Sequence, residues 1–173
     1  MGDDGRKILL IGYGNPGRLD DGLGPALAAA VEKLNIPGIT VEANYQLNVE
    51  DAAAMAQHDF VVFADADVTG PEPFSFRRIQ PKREISFSSH SVEPEALFGL
   101  AQQLFGAKTE GYVLAIRGYC FDDFGESLSD RARANLAAAV EFITPVLRER
   151  TFRAVAEPAD ERPMTDTALS SRG

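Results

Sequence analysis

The chain has 173 residues, 45% of them hydrophobic, which suits one domain with a sizeable core rather than two. Its 17 basic and 26 acidic residues give a formal charge of −9, so no nucleic-acid partner is expected. No apolar run approaches the roughly 18 residues of a membrane span, and the acidic start Met1-Gly2-Asp3-Asp4-Gly5 does not read as a secretory signal. No membrane partner and a cytoplasmic location are therefore expected.

Lys7 to Tyr13 is a short apolar run bounded by glycine and reads as a fully buried strand. Gly22 to Leu34 places Leu23, Ala26, Leu27, Ala30, Val31 and Leu34 at helical spacing. Ile39 to Ala43 reads as a second strand. Val49 to Ala56 reads as a helix with Asn48 as its cap. Phe60 to Ala66 is another buried strand, and the alternation in Phe74 to Ile79 predicts an edge strand. Glu93 to Phe105 reads as a helix with Pro94 in its first turn. Tyr112 to Arg117 is the last strand. Ser129 caps a final helix reaching about Arg153, which Pro145 should kink or split.

Strands alternate with helices, so the expected fold class is α/β, a mostly parallel twisted sheet with helices on both faces. Residues 1–155 are expected to form this single domain. From Ala156 onward polar and charged residues dominate without a period, so 156–173 is expected to be a disordered tail.

The first strand runs into Gly12-Tyr13-Gly14-Asn15-Pro16-Gly17, which is the G-x-G-x-x-G pattern of dinucleotide-binding folds. Glu42 even closes the second strand where a ribose-binding acid would stand. In that fold, however, the third glycine opens the helix whose amides cradle the pyrophosphate. Here Arg18-Leu19-Asp20-Asp21 intervenes, and two carboxylates would face an anion. Helix capping accounts for one of them. The other is free to take a cation.

Asp65 and Asp67 end the buried strand Phe60–Ala66, at the rim where α/β sheets bind ligands. Either can instead start a loop through an Asx-turn. His90 precedes the helix that begins near Glu93, where the helix dipole disfavours imidazolium. A neutral ring binds metal, although the serine-rich setting also suits a capping or exposed histidine. His58, beside Asp59, reads as a surface residue. Asp21, Asp65 and His90 follow a strand, follow a strand and precede a helix, positions that share one edge of a parallel sheet. Two carboxylates and one imidazole with open positions suit Zn²⁺ or Ni²⁺ better than Mg²⁺. The single cysteine, Cys120, excludes an intrachain disulfide and reads as a buried small hydrophobe.

Several of these segments together are distinctive. Ile11-Gly12-Tyr13-Gly14-Asn15 followed by Asp20-Asp21-Gly22-Leu23-Gly24 resembles the opening signature of the nickel–iron hydrogenase maturation proteases. Ala64-Asp65-Ala66 resembles their second signature, and the serine-flanked His90 before a helix resembles their third. Tyr45 to Asp51, Arg117-Gly118-Tyr119 and Phe124 to Ser129 also resemble family segments, so the likeness spans roughly residues 7–147.

The resemblance implies a three-layer α/β sandwich and a nickel-recognition site made of Asp21, Asp65 and His90, which would be both metal-binding and catalytic. Some relatives carry glutamate where Asp21 stands. The implied cofactor is nickel carried by the substrate, with zinc or another divalent ion able to substitute in vitro. The implied partner is a hydrogenase large-subunit precursor, and the implied cut removes a C-terminal peptide beyond its last metal-binding cysteine. The sequence offers no H-E-x-x-H motif, and neither a Ser–His–Asp set nor Cys120 can be nominated as nucleophile. Asp20 and Asp67 are left as candidates for a general base or for orienting the ligands.

Overall fold

A computed structural model describes residues 5–82 and 92–159. In chain order the elements are β1 (Ile8–Tyr13), a 3-10 turn (Leu19–Gly22), α1 (Leu23–Glu32), β2 (Ile39–Asn44), α2 (Asp51–Ala56), β3 (Phe60–Asp67) and β4 (Phe74–Ile79). They continue with α3 (Pro94–Phe105), β5 (Glu110–Arg117), α4 (Asp130–Glu149) and α5 (Phe152–Val155). The strands form one sheet in the order β2-β1-β3-β5-β4. All neighbours are parallel except β4, which runs antiparallel to β5 at the edge. No helix among the described residues is long and apolar enough to cross a membrane.

The central strands are apolar on both faces because both are covered. Ile8, Leu10, Phe60 and Val62 face α1, α4 and α5. Leu9, Ile11, Val61 and Phe63, one residue out of step, face α2 and α3. The result is the expected three-layer α/β sandwich with a mostly parallel sheet. Two glycines let α1 sit directly on it. A Cβ on Gly12 would lie 2.1 Å from the Gly24 carbonyl oxygen, and one on Gly24 would lie 2.4 Å from that of Tyr13. The glycine motif therefore serves helix-on-sheet contact at the start of α1.

Several boundaries differ from the sequence expectation. The α2 helix starts at Asp51, whose carboxylate accepts from the Asn48 amide at 2.9 Å, so Asn48 does not cap with its side chain. Ser129 does cap α4, accepting from the Ala132 amide at 3.3 Å. Pro145 does not split this helix, which continues to Glu149. Pro145 and Glu141 both lie on the exposed side, so the Glu141 carbonyl that loses its partner can be hydrated. The break comes at Arg150, which adopts φ 55. Its guanidinium donates to the carbonyls of Leu147 (3.2 Å), Arg6 (3.1 Å) and Pro37 (3.0 Å), so a buried cation closes the negative end of α4.

The domain boundary also shifts. Glu157 lies along β4, where its amide donates to the Phe76 carbonyl at 2.9 Å and its carbonyl accepts from the Arg78 amide at 2.8 Å. Ala156 packs against the core. The start of the expected tail is thus part of the domain, and residues 160–173 of that expectation lie outside the described residues.

Candidate functional site

β1 and β3 are adjacent at the middle of the sheet, yet the chain leaves them in opposite directions. From β1 it goes outward to β2, and from β3 it goes towards β4 on the far side. The carboxyl ends of these two strands therefore form the switch point where α/β folds open a crevice for ligands. Asp21 and Asp65 both stand there.

Asp21 is held by the loop that leaves β1. The Asn15 amide donates to Asp21 Oδ2 at 2.8 Å, and the Gly17 amide donates to Asn15 Oδ1 at 2.8 Å. Gly14, at φ 138, lets the Asp21 carbonyl approach, since a Cβ there would lie 2.1 Å from it. The amides of Gly14, Arg18, Leu19, Asp20 and Asp21 are also donated, to Asn44, Asn15, Gly125, Cys120 and Arg18. A pyrophosphate would find the loop amides taken, one of them by a carboxylate. This disfavours the dinucleotide reading on geometry as well as on charge. Glu42 lies inside β2, not at its end.

Asp65 lies half-buried near the carboxyl end of β3, and its Oδ1 accepts from the Ala66 amide at 2.8 Å. Burial raises its pKa to about 6; the Tyr13 hydroxyl and the Ala66 amide pull it down, while the carboxylates of Asp21 and Asp67 push it up. Asp65 thus feels the Asp21 carboxylate across the switch point. Among the described ion pairs none involves either carboxylate. A half-buried carboxylate beside a second one, without a basic partner, is a place where a cation would be favoured.

Tyr13 belongs to the site, although the sequence reading passed over it. Burial first and Asp65 second push its hydroxyl well above the ordinary tyrosine range. The signal was present, because Leu9, Ile11 and Tyr13 share one face by strand alternation, as do Phe63 and Asp65. Glu95 in the first turn of α3 also acts on Tyr13 and pairs with Arg77 at 3.2 Å. The first turn of the helix expected to follow His90 therefore lies within electrostatic reach of Tyr13. His90 itself lies in 83–91, outside the described residues. Val92 packs against the same apolar layer as Tyr13. Among the described residues no group of three or more histidine, cysteine, aspartate or glutamate side chains is arranged to hold a metal.

Asp20 has a different task. It is fully buried, and its carboxylate accepts from the amides of Tyr119 (2.8 Å), Cys120 (3.0 Å) and Ser129 (2.8 Å) and from the Ser129 hydroxyl (2.7 Å). Burial opposes its charge, but these four bonds outweigh burial and hold its pKa below the ordinary carboxylate range. Asp20 ties the β5–α4 loop to the 3-10 turn. With these donors committed to its charged form, it is poorly placed to act as a base.

Asp67 accepts from the amides of Thr69 (3.2 Å) and Gly70 (3.1 Å), the Asx-turn alternative. Cys120 is exposed, not buried as expected. His58 lies at the amino end of β3, away from the carboxylates, with Nδ1 2.7 Å from the Ala54 carbonyl oxygen.

No family model and no curated protein matches the chain. Solved structures do. The NiFe hydrogenase maturation protease HycI from Thermococcus kodakarensis KOD1 is similar at 21% identity, over 83% of this chain and 94% of its own, with a TM-score of 0.64. The hydrogenase maturating endopeptidase HybD from Escherichia coli is similar at 21% identity, over 83% and 93%, with a TM-score of 0.61. A hydrogenase 2 maturation peptidase from a Thaumarchaeota archaeon is similar at 21% identity, over 82% and 98%, with a TM-score of 0.62. At this identity the likeness establishes a shared fold.

Proposed function

We propose that this chain is an endopeptidase that removes the C-terminal peptide of a nickel-loaded hydrogenase large-subunit precursor. The observation that carries the reading is the placement of Asp21 and Asp65 together at the switch point, where burial and then the neighbouring Asp21 carboxylate raise the cost of ionising Asp65. They stand in the fold of proteins named for this activity. Oxygen ligands from Asp21 and Asp65 and an imidazole from His90 fit a borderline divalent ion such as Ni²⁺. The nickel arrives with the substrate, and zinc or another divalent ion can take its place in vitro.

In this reading the three side chains grip the substrate's metal and so hold the scissile bond at the carboxyl edge of the sheet. The bound ion supplies Lewis acidity there. Tyr13 reaches Asp65 and steadies its orientation. Asp20 keeps the 3-10 turn that carries Asp21 in place. The reading is tested by incubating the purified protein with a nickel-loaded precursor and measuring intact masses. It expects loss of one C-terminal peptide; an unchanged precursor mass would reject it.

A further inference from the structure

Four large apolar side chains stand out in solvent on the loops leaving the carboxyl edge of the sheet. Tyr45 is 73% exposed and Val49 45%, both between β2 and α2; Val68, after β3, is 60% exposed; Phe124, between β5 and α4, is 80% exposed. These loops are tied down. The Gly14 amide donates to the Asn44 carbonyl, the Gly118 amide to the Asp67 carbonyl, and Leu19, Gly125 and Gly17 exchange backbone bonds at 2.8–2.9 Å. The Arg18 guanidinium lies 5.8 Å from the centre of the Phe124 ring. Ordered, exposed aromatic residues around a site are the composition of a protein-binding surface, because little ordering entropy remains to be lost on docking.

The charge around them is one-sided. Glu50, Asp122, Asp123 and Glu126 are exposed on the same loops, where Arg18 is the exposed base among the described residues; Arg131, in the first turn of α4, is paired with Glu72. Two copies meeting through this rim would bring acid against acid. We infer that Tyr45, Val49, Val68 and Phe124 form a docking rim for the folded body of the precursor, which must offer an apolar patch flanked by lysine or arginine. This rests on the proposed function and adds how the substrate is chosen.

The test compares wild type with the double variant Tyr45→Ala/Phe124→Ala and with Asp122→Asn/Asp123→Asn, using nickel-loaded precursor and reading KM and kcat separately. Circular dichroism checks that each variant is folded. The aromatic pair should raise KM roughly tenfold with kcat little changed. The acidic pair should flatten the rise of KM with salt. If wild type cleaves and both variants keep its KM and salt dependence, the rim is overturned and the proposed function stands. If wild type does not cleave, the proposed function falls and takes this occupant with it. Sedimentation showing a wild-type dimer that the aromatic variant dissociates would make the rim a self-interface and overturn the inference.

Discussion

Two neighbouring carboxylates, Asp20 and Asp21, have opposite fates, and sequence cannot separate them. Helix capping accounts locally for either one, whereas the partners that claim Asp20 lie 99 to 109 positions further along the chain. The pH signature of Asp20 should be opposite in sign to that of Asp65. Asp20 is held below its ordinary value of 3.8, so its contribution is present above that value and is lost as pH falls through the lower folded value. Asp20→Asn should therefore cost about 2–3 kcal/mol near neutral pH, with the gap to wild type narrowing in acid melts. Asp65 is the reverse case. Its folded value of about 6 lies above 3.8, so the folded state keeps a proton the unfolded chain has lost, and stability falls as pH rises between them. Asp65→Asn should melt above wild type at about pH 8 and together with it near pH 4. Equal melting temperatures at both values would show that Asp65 carries no such penalty. A gain in stability on removing a charged side chain is the mark of a residue kept for function.

At the scale of elements, the apolar runs of β1 and β3 and the helical spacing of α1 and α3 were legible because burial alone dictates them. The alternation of Phe74–Ile79 marked an edge strand, but not that β5 would insert between it and β3. The 3-10 turn at Leu19–Gly22 and the short α5 carry no period long enough to read. Packing of α1 against β1 makes a sharp prediction. Gly24→Ala places its methyl 2.4 Å from one carbonyl oxygen and 2.5 Å from another, so α1 must lift from the sheet. The cost should be about 2–3 kcal/mol in denaturant unfolding, and because Asp21 begins the same segment, cleavage should fall further than stability. At the other end of the chain, cutting after Val155 removes the two backbone bonds of Glu157 to β4 and should lower the melting temperature by several degrees. Composition predicts little change for a cut after Ala159. Similar melting of the two truncations would mean that the Glu157 bridge contributes nothing.

On the scale of the whole molecule, the sheet divides the work between its edges. Buried Arg150 and the stacked rings of Tyr112 and Phe152, 5.2 Å apart, lie towards the amino edge and hold the layers together. Asp21, Asp65, Tyr13 and the exposed aromatic rim share the carboxyl edge. Sequence could place both carboxylates at that edge because one follows a strand and the other lies near a strand's carboxyl end, but the effect of Asp21 on Asp65 needed the strand order that makes β1 and β3 neighbours. His58, on the amino edge, is the internal control, and His58→Ala should process precursor like wild type. His90→Ala should abolish processing while leaving the fold intact by circular dichroism. The most direct test of the central claim is to present nickel-loaded and nickel-free precursor side by side to wild type and to Asp65→Asn and to read cleavage by intact mass. Wild type should cleave the nickel-loaded form alone, and Asp65→Asn should cleave neither. Equal cleavage of both precursors by wild type, or full activity in Asp65→Asn, would contradict that claim.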